Sequence, residues 1–414
     1  MVIKKIKVTN FKSFGNLEIE LGNFNVLIGP NAAGKSNFVH IFEFLRDIVS
    51  SGLNNAVSMQ GGVEYLRNIN IGSSERLSIN VVSTQEFGLL ARRLRENLIG
   101  TKIYETIYEF ALKFNKRGSG FRIAEDKLIQ KCKFVRLDRP GKKIKEILGD
   151  GEIIIFSTNG KVKIDLNIPE RVPLKKEDIF PPFLPEEKLP NRTLLLETSY
   201  FLIRLLEGIF RDISIYDFDP KLPKKATPIT GKAELEEDGS NLSIILKNIT
   251  ENKEKRRKLF NLVKDLLPFV ENLDVEKFAD KSLLFKLQET YFKNQYLPAS
   301  LISDGTINIT ALIIALYFEK KPLVIIEEPE RNIHPYLISK VVDMMKDASQ
   351  KKQIIVTTHN PEIVKYAGLD NILLVSRDKN GFSKISRPID KEEIRTFLEH
   401  IGIEELYVQN LLRA

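Results

Sequence analysis

The stretch Val26–Phe38, VLIGPNAAGKSNF, decides the fold. Three apolar residues read as the end of a buried strand that begins near Phe24. Gly29-Pro30-Asn31-Ala32-Ala33-Gly34-Lys35-Ser36 then fits the phosphate-loop pattern G-x-x-x-x-G-K-S completely. From about Lys35 to Val49, Phe38, Ile41, Phe42, Leu45 and Ile48 recur at helical spacing and predict an amphipathic helix. Small residues let the backbone N–H groups of the loop close around phosphates. The helix beginning at Lys35 aims its free N–H groups and positive dipole end at the same charge. Lys35 is placed to reach the β- and γ-phosphates, with Ser36 holding Mg²⁺ and Asn37 following in the first turn. The competing reading is a glycine-rich turn with a lysine by chance. It does not explain why strand, loop and helix follow in the right order.

A phosphate loop of this kind needs an acidic partner, and the nearest one in character lies far away. Residues 322–330 read PLVIIEEPE, a short apolar strand ending in acids. Such a strand is expected beside the phosphate-loop strand, with Glu327 binding Mg²⁺ through water and Glu328 polarising the attacking water. Glu327 stands where Asp is commoner and carries one more methylene. Without the loop, a buried strand with acids at its solvated end would be the better reading. The long separation between Ser36 and Leu323 implies a sheet split in sequence, with extra structure folded between its halves.

Length and composition set the frame. The chain has 414 residues, 43% hydrophobic and 29% charged, the balance of an ordinary globular protein with two or three lobes. The apolar run Ala311–Phe318 is too short to span a bilayer. The opening MVIKKIKVTNF alternates like a strand and lacks the apolar core of a signal peptide, so a soluble cytoplasmic protein with no membrane contact is expected. Cys132 is the single cysteine and reads as an inert packed thiol, which excludes an intrachain disulfide and a cysteine-cluster metal site. The net charge of +8 permits nucleic-acid contact without requiring it.

Along the chain, Val2–Val8 and Leu17–Leu21 read as a hairpin, and Leu77–Val82 as a further strand. Arg92–Asp150 looks like more strands with basic turns. Residues 167–191 are rich in proline and read as a surface crossing. A helix is expected from about Thr193 to Phe210, and another from Ser240 or Asn241. Strands are expected at Val275–Phe278, Leu283–Glu289 and Tyr296–Pro298. From Asp304 onward helix and strand alternate: a helix to about Glu319, the acidic strand, a helix from Pro335, a strand at Gln353–Thr357, and a final strand at Ile372–Ser376. This is the α/β pattern of a largely parallel sheet. No internal repeat and no coiled-coil heptad run is visible.

Two further elements precede and follow the acids. Ser303-Asp304-Gly305 opens the helix before the acidic strand, which by itself reads as a helix cap. Backbone N–H groups and a serine hydroxyl at such a helix start could also bind a γ-phosphate. After the acids, IIVTTHNPEIV ends a strand at Thr358-His359-Asn360; a lone histidine is more often structural than catalytic.

Taken together, IKVTNFKSFGN, VLIGPNAAGKSNF, EDGSNLSIIL, LISDGTINI, LVIIEEPERNIHP and IIVTTHNPEIV resemble the ABC-type ATPases of the RecF, SMC and OLD group. The pieces span Ile6 to Val364 and look closest to the stand-alone OLD-like ATPases with an AAA domain. The resemblance implies an ABC-type P-loop NTPase, split in sequence, with an N-terminal β-hairpin lobe and an inserted α/β region. It implies an N-terminal ATPase half at 1–115, an inserted region at 116–295, and a C-terminal ATPase half at 296–414. Ser303 and Gly305 would be the signature element facing ATP held by a second copy, so that two chains sandwich two ATP molecules. His359 would be the switch that bonds the γ-phosphate, and Glu328 the catalytic carboxylate that polarises the attacking water. Lys12 and Ser13 would flank the adenosine or phosphates, and Asn31 would lie near the γ-phosphate. Glu330, Asn332 and His334 would lie on the loop crossing the dimer interface, although a polar start to the Pro335 helix explains His334 equally well. The nucleotide-sensing glutamine stays open between Gln60 and Gln85.

This chain has no SMC-type coiled-coil arm, and the stretch after His359 is too short for the nuclease domain of OLD proteins. The expectation is an ATPase subunit that regulates a separate nuclease or effector in anti-phage defence or DNA processing. The basic segments KKIKVTNFK, QKCKFVRLDRPGKKIK and ENKEKRRK offer non-specific DNA contact, with Arg136–Lys145 the best candidate; ordinary solvated faces are the alternative. A transporter subunit is disfavoured because this chain reads ISDGT where such subunits read LSGGQ. An ATP-glued scaffold without hydrolysis would not need Glu328 and His359.

Overall fold

The computed structural model describes residues 2–84, 90–94, 97–116, 120–138, 143–172, 175–179, 188–198, 208, 210–278, 281–292, 295–390, 392, 394 and 402–409. The chain opens with β1 (Val2–Phe11), β2 (Phe14–Glu20) and β3 (Phe24–Ile28), followed by the helix Lys35–Ser51. Next come β4 (Leu77–Thr84), β5 (Leu90–Leu94), β6 (Asn97–Phe114), β7 (Phe121–Leu137), β8 (Ile144–Thr158) and β9 (Lys161–Asn167). The later strands are β10 (Ile213–Tyr216), β11 (Thr227–Pro228), β12 (Val270–Phe278), β13 (Ser282–Glu289), β14 (Leu297–Pro298), β15 (Leu323–Glu327), β16 (Gln353–Thr358), β17 (Ile372–Arg377) and β18 (Ser383–Ser386).

These elements form two compact units, each assembled from three stretches of chain: 1–22, 36–212 and 376–385 in the first, and 23–35, 213–375 and 386–414 in the second. The units therefore divide the chain differently from consecutive segments at 1–115, 116–295 and 296–414. Strand pairing shows why. β6 and β7 pair along their whole length on either side of position 115, and β14 pairs with β13 on either side of 295.

The first unit is built on an antiparallel sheet in the order β2-β1-β4-β6-β7-β8-β9, with β5 against β6. Alternation sets its faces: Leu77, Ile79 and Val81 of β4 are buried while Ser78, Asn80 and Val82 are less so. The helix Lys35–Ser51 buries Phe38, Ile41, Phe42, Phe44, Leu45 and Ile48. Phe44 packs its ring against Phe11 and Phe110 at centroid distances of 6.0 and 6.4 Å. Each such buried ring contributes about 1.5–3 kcal/mol. Asp126 is buried in this unit and accepts hydrogen bonds from the Tyr108 hydroxyl at 2.9 Å and the Leu195 N–H at 2.7 Å. Burial raises its pKa to about 7. Cys132 is buried and free, its thiol pushed up to about 12 by burial.

The second unit carries the parallel strands in the order β10-β15-β16-β3-β17. β3 and β16 are buried at every position, as strands covered on both faces must be. The helix Asp304–Tyr317 is buried from Thr306 to Leu316 and apolar nearly all round, the mark of an interior helix. Helices Leu242–Thr250 and Lys253–Leu266 adjoin a small antiparallel sheet in the order β11-β13-β12, with β14 on β13. Asn241 occupies the N-cap of the first of these helices, so the choice between Ser240 and Asn241 falls to Asn241.

Two expectations are corrected and one strand is added. The acidic strand β15 does not lie beside the phosphate-loop strand β3; β16 is inserted between them. Apolar strands of equal length carry no label for their order in a sheet. β10, which no sequence pattern marked, pairs in parallel with β15, Ile213 opposite Leu323 and Tyr216 opposite Ile326. The strand β17 is followed by β18 and is not the last. Of the expected helix Thr193–Phe210, residues 199–207 and 209 lie outside the described residues, and Leu195–Glu197 forms one 3₁₀ turn. No helix among the described residues is long and apolar enough to cross a membrane.

Candidate functional site

In the second unit β3, β16 and β15 run in parallel, so their carboxyl ends lie together and carry the phosphate loop, His359 and the acids respectively. In open α/β sheets this end is where ligands bind. Gly29 leaves β3 under close constraint: a Cβ there would stand 2.2 Å from the Val375 carbonyl oxygen, so only glycine fits against β17. The loop then closes through the Ala33 N–H, which donates to the Pro30 carbonyl at 3.2 Å. Ala32 and Gly34 have φ of 60° and 114°. The left-handed value at Ala32 costs about 1–2 kcal/mol, and backbone of this kind is what builds anion-binding concavities. Asn31 is exposed at the loop's crest. Lys35 curls back over the loop, its Nζ donating to the Gly29 carbonyl at 2.8 Å and the Pro30 carbonyl at 3.3 Å. Burial lowers its pKa, opposed by the charges of Glu328, Glu327 and Glu330. Loop lysine and acids thus share one electrostatic field despite their distance in sequence. Ser36 lies next in the helix and is exposed.

At the end of β15, Glu327 stands opposite Thr357 in the ladder, and the Glu328 N–H donates to the Thr357 carbonyl at 2.8 Å. Glu328 has φ of 45°, a strained value for a side chain of this size. Its two carboxylate oxygens have different partners. Oε1 lies 2.8 Å from His359 Nδ1, and Oε2 accepts from Arg331 Nη2 at 3.1 Å. Arg331 is held in turn by Asp217, whose Oδ1 accepts from Nη1 at 2.8 Å. Desolvation pushes the Glu328 pKa up, but the bonds from Arg331 and His359 outweigh it and leave it below the usual carboxylate range. Glu330 behaves oppositely: burial dominates and raises its pKa, despite its hydrogen bond with Thr358. The Glu328–His359 pair joins two residues selected from sequence; Arg331 and Asp217 are additions, and Glu330, expected only on the loop after the acids, is found bonded to Thr358. Nothing in the sequence around Asp217 signals a partner more than a hundred positions away.

Ser303 is the N-cap of the helix Asp304–Tyr317, accepting from the Thr306 N–H at 3.2 Å, and it is exposed. The capping role is therefore real, and the same hydroxyl also lies 2.8 Å from the Thr306 hydroxyl. Gly305 packs against the turn after the acids, where a Cβ would stand 2.5 Å from the Asn332 carbonyl oxygen. Asn308 donates to the Arg331 carbonyl at 2.6 Å. Signature-like helix and acidic turn are thus locked together within one chain. Asn332 is itself left-handed, with φ of 63°. His334 caps the helix Pro335–Ser349, accepting from the Tyr336 N–H at 3.4 Å.

Lys12, Ser13 and Asn37 belong to the first unit. The Asn37 side chain donates to Ser13 Oγ at 2.7 Å, and Ser383 Oγ donates to the same atom at 2.7 Å. All three sequence-selected residues line a cavity of about 390 Å³ together with Tyr65, Arg67 and Arg377, and among the described residues no carboxylate lines it. Burial lowers the pKa of Lys12, partly opposed by Glu43. His40 is held at about 4, by burial first and then by the charge of Lys12. Gln60 is the C-cap of the helix Leu53–Met59, and Gln85 lies outside the described residues.

The basic segments separate on inspection. Lys5 and Lys7 both pair with Glu18, Lys131 with Glu105 and Arg136 with Glu146. Those lysines and arginines read as solvated sheet faces; residues 139–142 of the favoured hairpin lie outside the described residues. The run Lys253–Lys258 is exposed throughout.

The family described as "AAA domain, putative AbiEii toxin, Type IV TA system", AAA_21, matches residues 24–365. A curated relative, "Uncharacterized protein MJECL43" of Methanocaldococcus jannaschii, is 23% identical over 150 residues, covering 33% of this chain and 39% of that protein. The match thus spans well under two thirds of the relative's length. Among solved structures, the SmcHead bound to the C-winged helix domain of ScpA is 16% identical, with a TM-score of 0.47 over 93% of this chain and 98% of that one. The Smc head domain with an extended coiled coil bound to the C-terminal domain of ScpA, derived from Pyrococcus furiosus, is 15% identical, with a TM-score of 0.49 over 96% and 99%. The SMC head domain from Thermotoga maritima is 14% identical, with a TM-score of 0.41 over 94% and 99%. The family match covers most of the chain, which belongs to this AAA-domain family.

Proposed function

With that membership as the premise, we propose that the chain binds and hydrolyses ATP, and that two copies associate around two ATP molecules. The observation that carries this reading is the Glu328–His359 pair at 2.8 Å, set at the end of the sheet that bears the phosphate loop. Backbone N–H groups of the loop, the Lys35 ammonium and the helix N-terminus bind the triphosphate. Glu328, kept ionised by Arg331 and His359, accepts the proton of the attacking water. His359 meets the γ-phosphate from the neighbouring strand end. Ser36 and Glu327 are oxygen donors of the kind Mg²⁺ takes. Among the described residues no group of three or more His, Cys, Asp and Glu is arranged to hold a metal by itself. Two protein donors fit an ion that fills its shell with water and phosphate oxygens, and Mg²⁺ would neutralise charge on those phosphates.

Association is supported by the exposed face around the signature-like helix. Ser303, Asn332 and His334 are exposed there, and so are two apolar side chains, Leu301 at 69% and Tyr336 at 66%. In this reading Ser303 and Gly305 complete the phosphate site of the second copy. The family's description names a toxin–antitoxin system, which accords with a defence role in which this ATPase regulates a separate nuclease or other effector. Non-specific DNA contact, through the exposed run Lys253–Lys258, is part of the same proposal.

Glu328→Gln tests the core of it. The variant is expected to bind ATP, to lose at least about a hundredfold in turnover, and to sediment as an ATP-stabilised dimer. A variant that hydrolyses ATP at the wild-type rate removes Glu328 from the chemistry. One that stays monomeric at saturating ATP defeats the sandwich.

A further inference from the structure

Two cross-links, not one, join the strand ends that carry the acid and the histidine. The first is the Glu328–His359 pair. The second runs from Glu330 Oε1 to Thr358 Oγ1. Both members of this second link are buried, Glu330 at 7% exposure and Thr358 at 0%. Thr358 Oγ1 also accepts the Asn360 N–H at 2.9 Å. Its own hydrogen is then directed to Glu330, which acts as the acceptor. The other carboxylate oxygen of Glu330 is buried without a hydrogen-bond partner among the described residues. A buried carboxyl group that is only half satisfied costs stability, and an apolar residue would fill the same space at no such cost. Packing alone does not account for it.

Its neighbours show what it holds. Glu330 sits two residues after Glu328 in a turn closed by the Arg331 N–H to the Glu328 carbonyl at 3.0 Å and the Ile333 N–H to the Glu330 carbonyl at 3.0 Å. Thr358 immediately precedes His359. On the other side of His359, Asn360 caps the next helix by accepting the Glu362 N–H at 2.8 Å. His359 is therefore an exposed residue between two anchored ones, and the Thr358 anchor leads back to the turn that carries Glu328.

We propose that Glu330 is a positioning residue for hydrolysis: by gripping the Thr358 hydroxyl it fixes the backbone of His359 relative to Glu328, so that the pair keeps its geometry through turnover. The proposal rests on reading Glu328 and His359 as the hydrolytic pair. It assigns Glu330 no contact with nucleotide, and its loss acts on kcat more than on binding.

The experiment compares Glu330→Ala, Glu330→Gln, Thr358→Val and the double variant Glu330→Ala/Thr358→Val. Readouts are steady-state ATPase kinetics and the Kd of a fluorescent ATP analogue. Glu330→Ala is expected to lower kcat about ten- to a hundredfold, with Kd for the analogue changed by less than about threefold. Glu330→Gln keeps an acceptor oxygen for Thr358 and is expected to recover most of the turnover. Thr358→Val, nearly isosteric, breaks the same link from the other side and should reproduce the loss even if Glu330→Ala proves too unstable to purify. The double variant should be no slower than the slower single one, because both remove one interaction. A wild-type kcat in Glu330→Ala, a Gln variant as slow as the Ala variant, or losses that multiply in the double variant would each overturn the assignment. A wild-type protein without ATPase activity defeats the hydrolase reading instead, so the two failures are distinguishable.

Discussion

Replacing Gly305 by alanine separates two explanations of the same residue. Within the chain, the added Cβ would stand 2.5 Å from the Asn332 carbonyl oxygen. An ordinary non-bonded contact needs about 3.5 Å, so the turn must retreat by roughly 1 Å. It cannot do so freely, because Asn308 holds the Arg331 carbonyl at 2.6 Å and Arg331 holds Glu328 at 3.1 Å. Overpacking of this kind costs about 1–3 kcal/mol. The gain in helix propensity from glycine to alanine is at most about 1 kcal/mol, so the clash wins and the variant is less stable. The effect on turnover is larger: a displacement of about 1 Å at a catalytic group costs on the order of a hundredfold in rate. The assays are thermal unfolding of the nucleotide-free protein and steady-state ATP hydrolysis. A contact with ATP held by a second copy predicts instead an unchanged melting temperature and a loss confined to ATP-dependent association. A Gly305→Ala protein with raised Tm and wild-type turnover would refute the packing argument, since propensity would then be acting unopposed.

Other outcomes follow from the same geometry. Lys35→Ala removes the only side-chain cation of the phosphate loop and should abolish ATP binding; undiminished affinity by titration calorimetry would remove the loop from the nucleotide site. Arg331 helps hold the Glu328 pKa below its ordinary range, and a general base fails as pH falls through its pKa, so Arg331→Ala should move the acid limb of the kcat profile to higher pH; an unmoved limb means that Arg331 does not set the ionisation of Glu328. Asp126 has a folded pKa raised to about 7 from an ordinary value of 3.8. Its contribution to stability is therefore complete below the unfolded pKa and is lost as pH rises through the folded one. Urea unfolding between pH 5 and pH 8 should show wild-type stability declining relative to Asp126→Asn, by at most about 3 kcal/mol, and parallel curves would show that the carboxyl group stays charged throughout.

What could be read from the linear chain was whatever depends on near neighbours. The phosphate loop, its strand and its helix are contiguous, and their small residues, lysine and apolar period act over a few positions. Leu323–Glu327 was likewise legible as a buried strand because its apolar run and terminal acids are local. That the sheet is split followed from distance alone. The order of strands did not follow, because β15, β16 and β3 are all short, apolar and interchangeable by composition; only packing inserted β16 between the other two. β10 was missed because four residues carry too little pattern to compete with the turn signals around them. The acid's environment was equally out of reach. Asp217 meets Arg331 across more than a hundred positions, Glu330 meets Thr358 across the gap between two strand ends, and Gly305 owes its lack of a side chain to the carbonyl of Asn332. Such contacts depend on distance and, for Glu330 and Thr358, on burial, neither of which exists until the chain has folded. The sequence by itself determined which groups could meet a triphosphate; the tertiary structure alone decided which of them hold one another in place.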